Sequence, residues 1–155
     1  MALSNQNARL QGVAGTIKKL RKFGSIGENR IKIISETISN EIAQDAKSRI
    51  SQYPDRIGVR IASSIFTYPS NDGLTWHVAI GEEPMSAYIE FGTGTFVQVP
   101  KGWEHIAWSY YVNGKGYMRP FPYFYPAYYI GRRQYKKDLK DSLNYLISRF
   151  NNDSI

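Results

Sequence analysis

Ile31, Ile34, Ile38, Ile42, Ala46 and Ile50 recur at steps of three and four, while Arg30, Lys32, Glu36, Glu41 and Lys47 fall off that stripe. This is the period of an amphipathic helix. Ser25 and Glu28 stand at capping-box spacing, which predicts a start near Ser25. Pro54 predicts an end near Gln52, because proline disfavours helical geometry at the preceding residue and cannot donate a helical hydrogen bond. Upstream, Leu10, Val13, Ile17 and Leu20 repeat at helical spacing between about Arg9 and Lys22, with Lys18, Lys19, Arg21 and Lys22 gathered where positive charge suits the helix dipole. Gly12 and Gly15 each weaken that segment by roughly 1 kcal/mol relative to alanine. It is either an amphipathic arm that orders against a neighbour or a short helix on its own domain.

The period then shortens to two. Val59 to Ser63 and Ile65 to Tyr68 are β-prone, and Pro69-Ser70-Asn71-Asp72-Gly73 supplies a turn that reverses the chain into Leu74 to Ile80. In that second arm Leu74, Trp76, Val78 and Ile80 share one face, opposite Thr75, His77 and Ala79. Gly81 to Pro84 breaks the strand. Ser86 to Gly94 then reads as a further antiparallel strand, with Glu90 on the face opposite Ile89 and Phe91, and with Gly92 and Gly94 as its exit. Thr95 to Arg119 is a long aromatic excursion in which Tyr110 to Tyr117 has the Asn113-Gly114 corner of a tight hairpin. Pro120 to Ala127 is an extended, proline-punctuated aromatic segment. Pro126 suits the first turn of a last helix that carries Tyr128, Tyr135, Leu139, Leu143, Leu146 and Phe150 on one face, with Arg133, Lys136, Lys137 and Lys140 mostly off it.

The expected architecture is α+β: a small antiparallel sheet of three to four strands, packed against a long helix from the N-terminal half and a C-terminal helix. Residues 1–24 form the arm, 25–150 a single domain and 151–155 a polar tail. The chain has 155 residues, enough for one core without metal or disulfide support. It has no cysteine, which removes disulfides, thiolate metal sites and cysteine nucleophiles and fits a reducing cytoplasm. No apolar run is long enough for a signal peptide or membrane span. Twenty basic residues against thirteen acidic ones give a net charge of +7, a bias toward polyanions or acidic partner surfaces. Twelve tyrosines, many of them between Tyr110 and Tyr135, point to a packed or interface region.

No catalytic constellation emerges. His77 and His105 lack ligand spacing, so no metal is expected. Glu104 beside His105, and the acids Glu82, Glu83 and Glu90, have no spacing that sets a carboxylate pair for hydrolysis. Val112 to Gly116 lacks the glycine spacing and the hydroxyl residue of a phosphate loop. Lys18, Lys19, Arg21, Lys22, Arg132, Arg133, Lys136 and Lys137 are candidate contacts to DNA or an acidic partner, or else solubilising charge. No cofactor is expected.

The helix ending in Ala46-Lys47 and then Pro54-Asp55, the hairpin, Tyr88-Ile89-Glu90-Phe91-Gly92-Thr93-Gly94, a variable loop, Pro120-Phe121 through Pro126-Ala127 and a closing helix follow one another in an order that resembles the gene-ten-like tail-component family of tailed phages. The likeness spans roughly residues 30–150. Members of that family usually carry Thr-Gly after the helix-ending proline, where this chain has Asp55-Arg56-Ile57-Gly58, and the loop between the two motifs is long and aromatic here. The resemblance implies a non-enzymatic virion protein, a homo-oligomeric ring of the head-tail connector or a tail-completion protein. It would meet neighbouring connector, portal-side or tail proteins, with double-stranded DNA passing through the lumen, and would assemble in the bacterial host cytoplasm without membrane contact. In that setting Glu90, Phe91, Gly92, Thr93, Gly94, Trp103, Trp108, Tyr110 and Tyr111 are the expected interface, the alternative being that Trp103, Trp108, Tyr110 and Tyr111 fill their own domain's core. The competing expectation is a basic nucleic-acid-binding accessory protein that uses the same cationic helices. A hydrolase built on Glu104 and His105 is a third.

Overall fold

The computed structural model describes residues 4–105 and 118–152. Its elements are α1 (Ser4–Ile50), α2 (Arg56–Ser64), β1 (Ile65–Pro69), β2 (Trp76–Ile80), α3 (Met85–Phe91), a 3₁₀ turn (Gly94–Phe96) and α4 (Phe124–Asn152). The class is α+β, with long helices in the N-terminal half and at the C-terminus and one two-stranded antiparallel sheet among the described residues.

α1 is one helix of 47 residues, where the sequence suggests two. Both members of the expected capping box have other partners: Ser25 Oγ donates to the Lys22 carbonyl at 3.0 Å, and Glu28 pairs with Lys32 at 2.8 Å. A serine that bonds back into the preceding turn does not begin a helix. The C-terminal end falls where Pro54 requires it, closed by i to i−3 bonds from Gln52 to Arg49 and from Tyr53 to Ile50, both 3.0 Å. The isoleucine stripe is the floor of the core: Ile38, Ile42, Ala46 and Ile50 are all buried.

Val59 to Ser63 is helical, within α2, contrary to the strand expectation. Alternation would place Val59 and Ile61 on one face, yet Ile61 is fully buried and Val59 is 64% exposed. Gly58, Ile61 and Ala62 turn inward at helical spacing instead. The hairpin is as expected, with Ile65 opposite Ile80 and Pro69 opposite Trp76. Its turn is held by Asp72 in the manner of an Asx-turn, its Oδ1 accepting from Ser70 Oγ (2.6 Å) and from the Leu74 N–H (2.9 Å). These donors, Ser70 first, keep the Asp72 carboxyl below the usual carboxylate range. Val78 and Ile80 pack on the core, whereas His77 faces solvent and stacks on Tyr68 at 4.9 Å.

Ser86 to Gly94 is the larger correction, because Met85–Phe91 is a helix. A third strand there is excluded, and the Tyr110 to Tyr117 hairpin lies outside the described residues.

α4 runs antiparallel along α1. Phe23 meets Phe150 at 5.3 Å, the Arg30 guanidinium sits 4.6 Å from the Tyr145 ring centre, Ser35 Oγ is 3.3 Å from Tyr135 OH, and Gly131 lies against Ile42. Buried Ser35 also donates to the Leu74 carbonyl at 3.0 Å, so one serine joins α1, α4 and the turn before β2. The helices approach closely at Gly131, where a Cβ would overlap Ile42 Cγ1 and Cδ1. We expect Gly131→Ala to lower unfolding stability by about 1–3 kcal/mol through overpacking. In a double-mutant cycle read by urea titration, Gly131→Ala should cost less in an Ile42→Ala background than in wild type, because that background vacates the clashing volume, although Ile42→Ala alone costs about 2–5 kcal/mol.

Candidate functional site

Four short segments meet where α3 ends. Proline cannot donate, so Pro84 stands naturally just before the helix, at its N-cap position. Within α3, Ser86, Ile89 and Glu90 are all buried, a spacing of i, i+3 and i+4 that faces them into the protein. Glu90 is 5% exposed.

Its carboxylate meets the N-terminus of α4. Glu90 Oε2 accepts the backbone N–H groups of Tyr123 and Phe124, both at 2.8 Å, and Oε1 accepts that of Tyr125 at 2.9 Å. The next residue is Pro126, which has no N–H. The N-terminal donors that a helix leaves unpaired are thereby all accounted for, three by one side chain and the fourth by its absence. The negative charge also lies at the positive end of the helix dipole. Burial pushes the Glu90 carboxyl above its ordinary value, and the three N–H donors pull against that shift without cancelling it. Tyr123 is buried beside it, its hydroxyl donating weakly to the Ser86 carbonyl at 3.4 Å. Burial first, and the Glu90 charge second, hold that hydroxyl well above the ordinary tyrosine range.

Around this cap the backbone is stitched into a clasp. Gly92 ends α3 with φ +78°, its N–H donating to the Tyr88 carbonyl at 2.8 Å. A Cβ there would lie 2.9 Å from Phe96 O and Pro120 Cδ and 3.0 Å from Met118 O, so both conformation and space demand glycine. The Thr93 N–H donates to Met118 O (2.9 Å), and the Met118 N–H to Thr93 Oγ1 (3.0 Å). Phe121 N–H reaches Ile89 O at 2.7 Å, and Gln98 N–H reaches Phe91 O at 2.8 Å. The excursion that leaves after Thr93 therefore returns at Met118 to the point where it departed. Trp103 pins its first half onto α4, with ring centres 6.4 Å from Phe91, 6.0 Å from Phe124, 5.5 Å from Tyr125 and 5.6 Å from Tyr128. Most of these contacts are edge-to-face, the arrangement that ring quadrupoles favour.

Several sequence expectations move as a result. Glu90, Phe91 and Gly92 are buried in their own chain and not presented to a neighbour. Trp103 is half-buried against α4, while Thr93 and Gly94 stay partly exposed. Tyr123, just before α4, ties that helix to α3 through its bond to the Ser86 carbonyl. Trp108, Tyr110 and Tyr111 lie outside the described residues. Lys18, Lys19, Arg21 and Lys22 are exposed on α1, and Arg132, Arg133, Lys136 and Lys137 on α4. The antiparallel register sets these two basic groups roughly 20–35 Å apart along α1, so they do not form one patch. Glu104 Oε2 accepts the Gly102 N–H at 2.7 Å and so fixes its own turn. Among the described residues no three His, Asp or Glu side chains converge in a metal-holding group, and no helix is long and apolar enough to cross a membrane. The capping role of Glu90 was missed because seven residues fit both periods. The available signal was the burial-compatible Ser86, Ile89, Glu90 spacing just after Pro84.

Glu90→Ala strips the acceptor from three backbone donors and should cost about 3–5 kcal/mol, against about 1–2 kcal/mol for Glu90→Gln, which keeps one oxygen. Because the folded-state pKa is raised, the fold holds the Glu90 proton more firmly than the unfolded chain does. Stability from this group is therefore full below the ordinary glutamate value and falls as pH rises from there toward the folded value. The stability difference between wild type and Glu90→Gln should narrow over that interval in denaturant titrations. Gly92→Ala should cost about 2 kcal/mol or more, from strain and contact together.

No family model matches the chain, and no curated protein or solved structure matches it.

Proposed function

We propose that this chain is a structural, non-enzymatic component of a tailed-phage virion, which self-assembles as a ring at the head-tail connector or completes the tail, with DNA passing through the lumen. The observation that carries this reading is the Glu90 cap. It joins Tyr88 to Gly94 with Pro120 to Ala127, the two motifs on which the resemblance rests, into one rigid joint. A joint of this kind presents the loop between its two arms from a fixed base, which is what a contact loop between subunits needs. The Tyr110 to Tyr117 hairpin, and with it any strand beyond the two of the sheet, belongs to that loop. Its neighbours would be further copies of the chain and adjoining connector, portal-side or tail proteins, assembled in the host cytoplasm and retained in the virion.

A second reading has its own support. The exposed Lys18, Arg21 and Lys22 on α1 suit a basic accessory protein bound to nucleic acid. Light scattering with negative-stain electron microscopy of the purified protein separates the two. Rings with an open centre are expected. A monomer whose DNA affinity drops steeply with salt would replace the first reading with the second.

The loop can be tested separately from the joint. Trp108→Ala, Tyr110→Ala and Tyr111→Ala together should impair assembly with unfolding stability unchanged. Trp103→Ala, which removes ring contacts to α4, should lower stability by about 2–3 kcal/mol.

A further inference from the structure

α1 outruns its partner. Phe23 meets Phe150 near the end of α4, and Lys19 and Lys22 still line a groove with Tyr145, Arg149 and Phe150, so α1 extends beyond α4 from about residue 18 back to residue 4. At and just before this edge Leu20 is 53% and Ile17 46% exposed, continuing the apolar stripe past its cover. Lys18, Arg21 and Lys22 beside them are exposed, and none makes an ion pair among the described residues. Residues 1–27 contain Arg9, Lys18, Lys19, Arg21 and Lys22 and no aspartate or glutamate. Two such arms laid together would set like charges side by side, so the arm is matched to an acidic surface and not to itself.

The same chain carries such a surface. On the flank of the α1 and α4 pair a groove of about 390 Å³ is floored by Ile42, Ala127 and Ile130 and rimmed by Glu41, Asp45 and Asp138. Ile130 is 55% exposed. Asp45 is paired with Arg49 at 3.0 Å, and Asp138 accepts from Gln134 at 2.8 Å. Glu41 has no ion pair among the described residues, and no lysine or arginine lines the groove. Arm and groove are therefore apolar at their centres and opposite in charge at their edges. They cannot meet within one molecule, since the continuous helix holds residue 20 roughly 33 Å from residue 42.

We infer that the basic arm of one copy docks in the acidic groove of a second copy, in a head-to-tail contact. Burial of Ile17, Leu20 and Ile130 drives the contact, and the charges select arm-to-groove over arm-to-arm pairing and set its register. A contact between two different patches propagates, closing into a ring or continuing as a filament according to its rotation. The inference rests on the self-assembly reading above and adds a second contact to the one proposed for the loop.

The test is a charge swap in the full chain. Lys18→Glu with Lys22→Glu reverses the arm, and Glu41→Lys with Asp138→Lys reverses the groove; helicity by circular dichroism confirms folding of both. In sedimentation velocity each variant alone should associate at least about tenfold more weakly than wild type, and a chain carrying all four changes should regain association. Association of wild type should weaken with added salt, whereas arm-to-arm pairing would strengthen. With no native cysteine, Leu20→Cys and Ile130→Cys chains can be mixed with a bismaleimide, and the mixed dimer should exceed either homodimer. Association unchanged by either reversal, or no recovery in the fourfold variant, overturns the inference. So does loss of duplex binding on arm reversal with self-association intact, which would make the arm a DNA contact. Rings that survive arm reversal would leave the ring reading standing and remove this contact, whereas charge-swap recovery without rings would do the opposite.

Discussion

A buried carboxylate has to be answered by donors, and in this protein the answer comes from 33 to 35 residues further along the chain. Most of the architecture downstream of the hairpin follows from that requirement. α4 must begin where Glu90 can reach its first N–H groups, so the start of α4 is set by tertiary contact and not by a local cap. With that end fixed, its antiparallel path along α1 brings Gly131 to Ile42 and Phe150 to Phe23. Even Pro126 is consistent with this arrangement, since it removes the one early donor that the two carboxylate oxygens leave unserved.

The cap and the core are different kinds of constraint. Isoleucines along α1, with Ile61, Ile65 and Ile89 brought in from three other elements, exclude water without specifying any angle closely. Glu90 is directional: displaced by one residue, it would leave donors unpaired in a dry setting. Hydrophobic burial thus collects the helices and hairpin, while one charge-assisted network fixes the orientation of α4 and the base of the long loop.

The parts that could be read from the sequence were those in which local preference and tertiary environment agree. The isoleucine stripe, the Ser-Asn-Asp-Gly turn with its following strand, and the proline in the first turn of α4 all fall in this group, although α4 begins two residues before that proline and takes in Phe124 to Ala127 of the segment expected to be extended. Val59 to Ser63 and Ser86 to Gly94 were misjudged because segments of five to nine residues hold too few apolar positions to separate a period of two from one of 3.6. Packing decided both: Gly58 and Ala62 allow α2 to lie close to the end of α1, and Ser86 with Glu90 turns one polar edge of α3 inward. Continuity through Gly24 to Gly27 was hidden for another reason. Ser25 and Glu28 stand at capping-box spacing, yet both are bonded within α1, whose middle is held by a neighbour, with Gly27 against Leu146. Glu90 was visible as an acid among apolar residues, but its partners are backbone groups, which no sequence pattern marks.

The Thr93 and Met118 clasp has a consequence for how this protein can vary. Its two hydrogen bonds bring the ends of the excursion together before any of the intervening residues is considered. Closure entropy grows only with the logarithm of loop length, by about 0.6 kcal/mol per doubling. Outside the part that Gln98 and Trp103 tie to the joint, the excursion can therefore change in length at little thermodynamic penalty while the joint beneath it keeps its geometry. Related chains could diverge freely in what they touch and still share one scaffold, and the same position is the natural place to graft a foreign peptide.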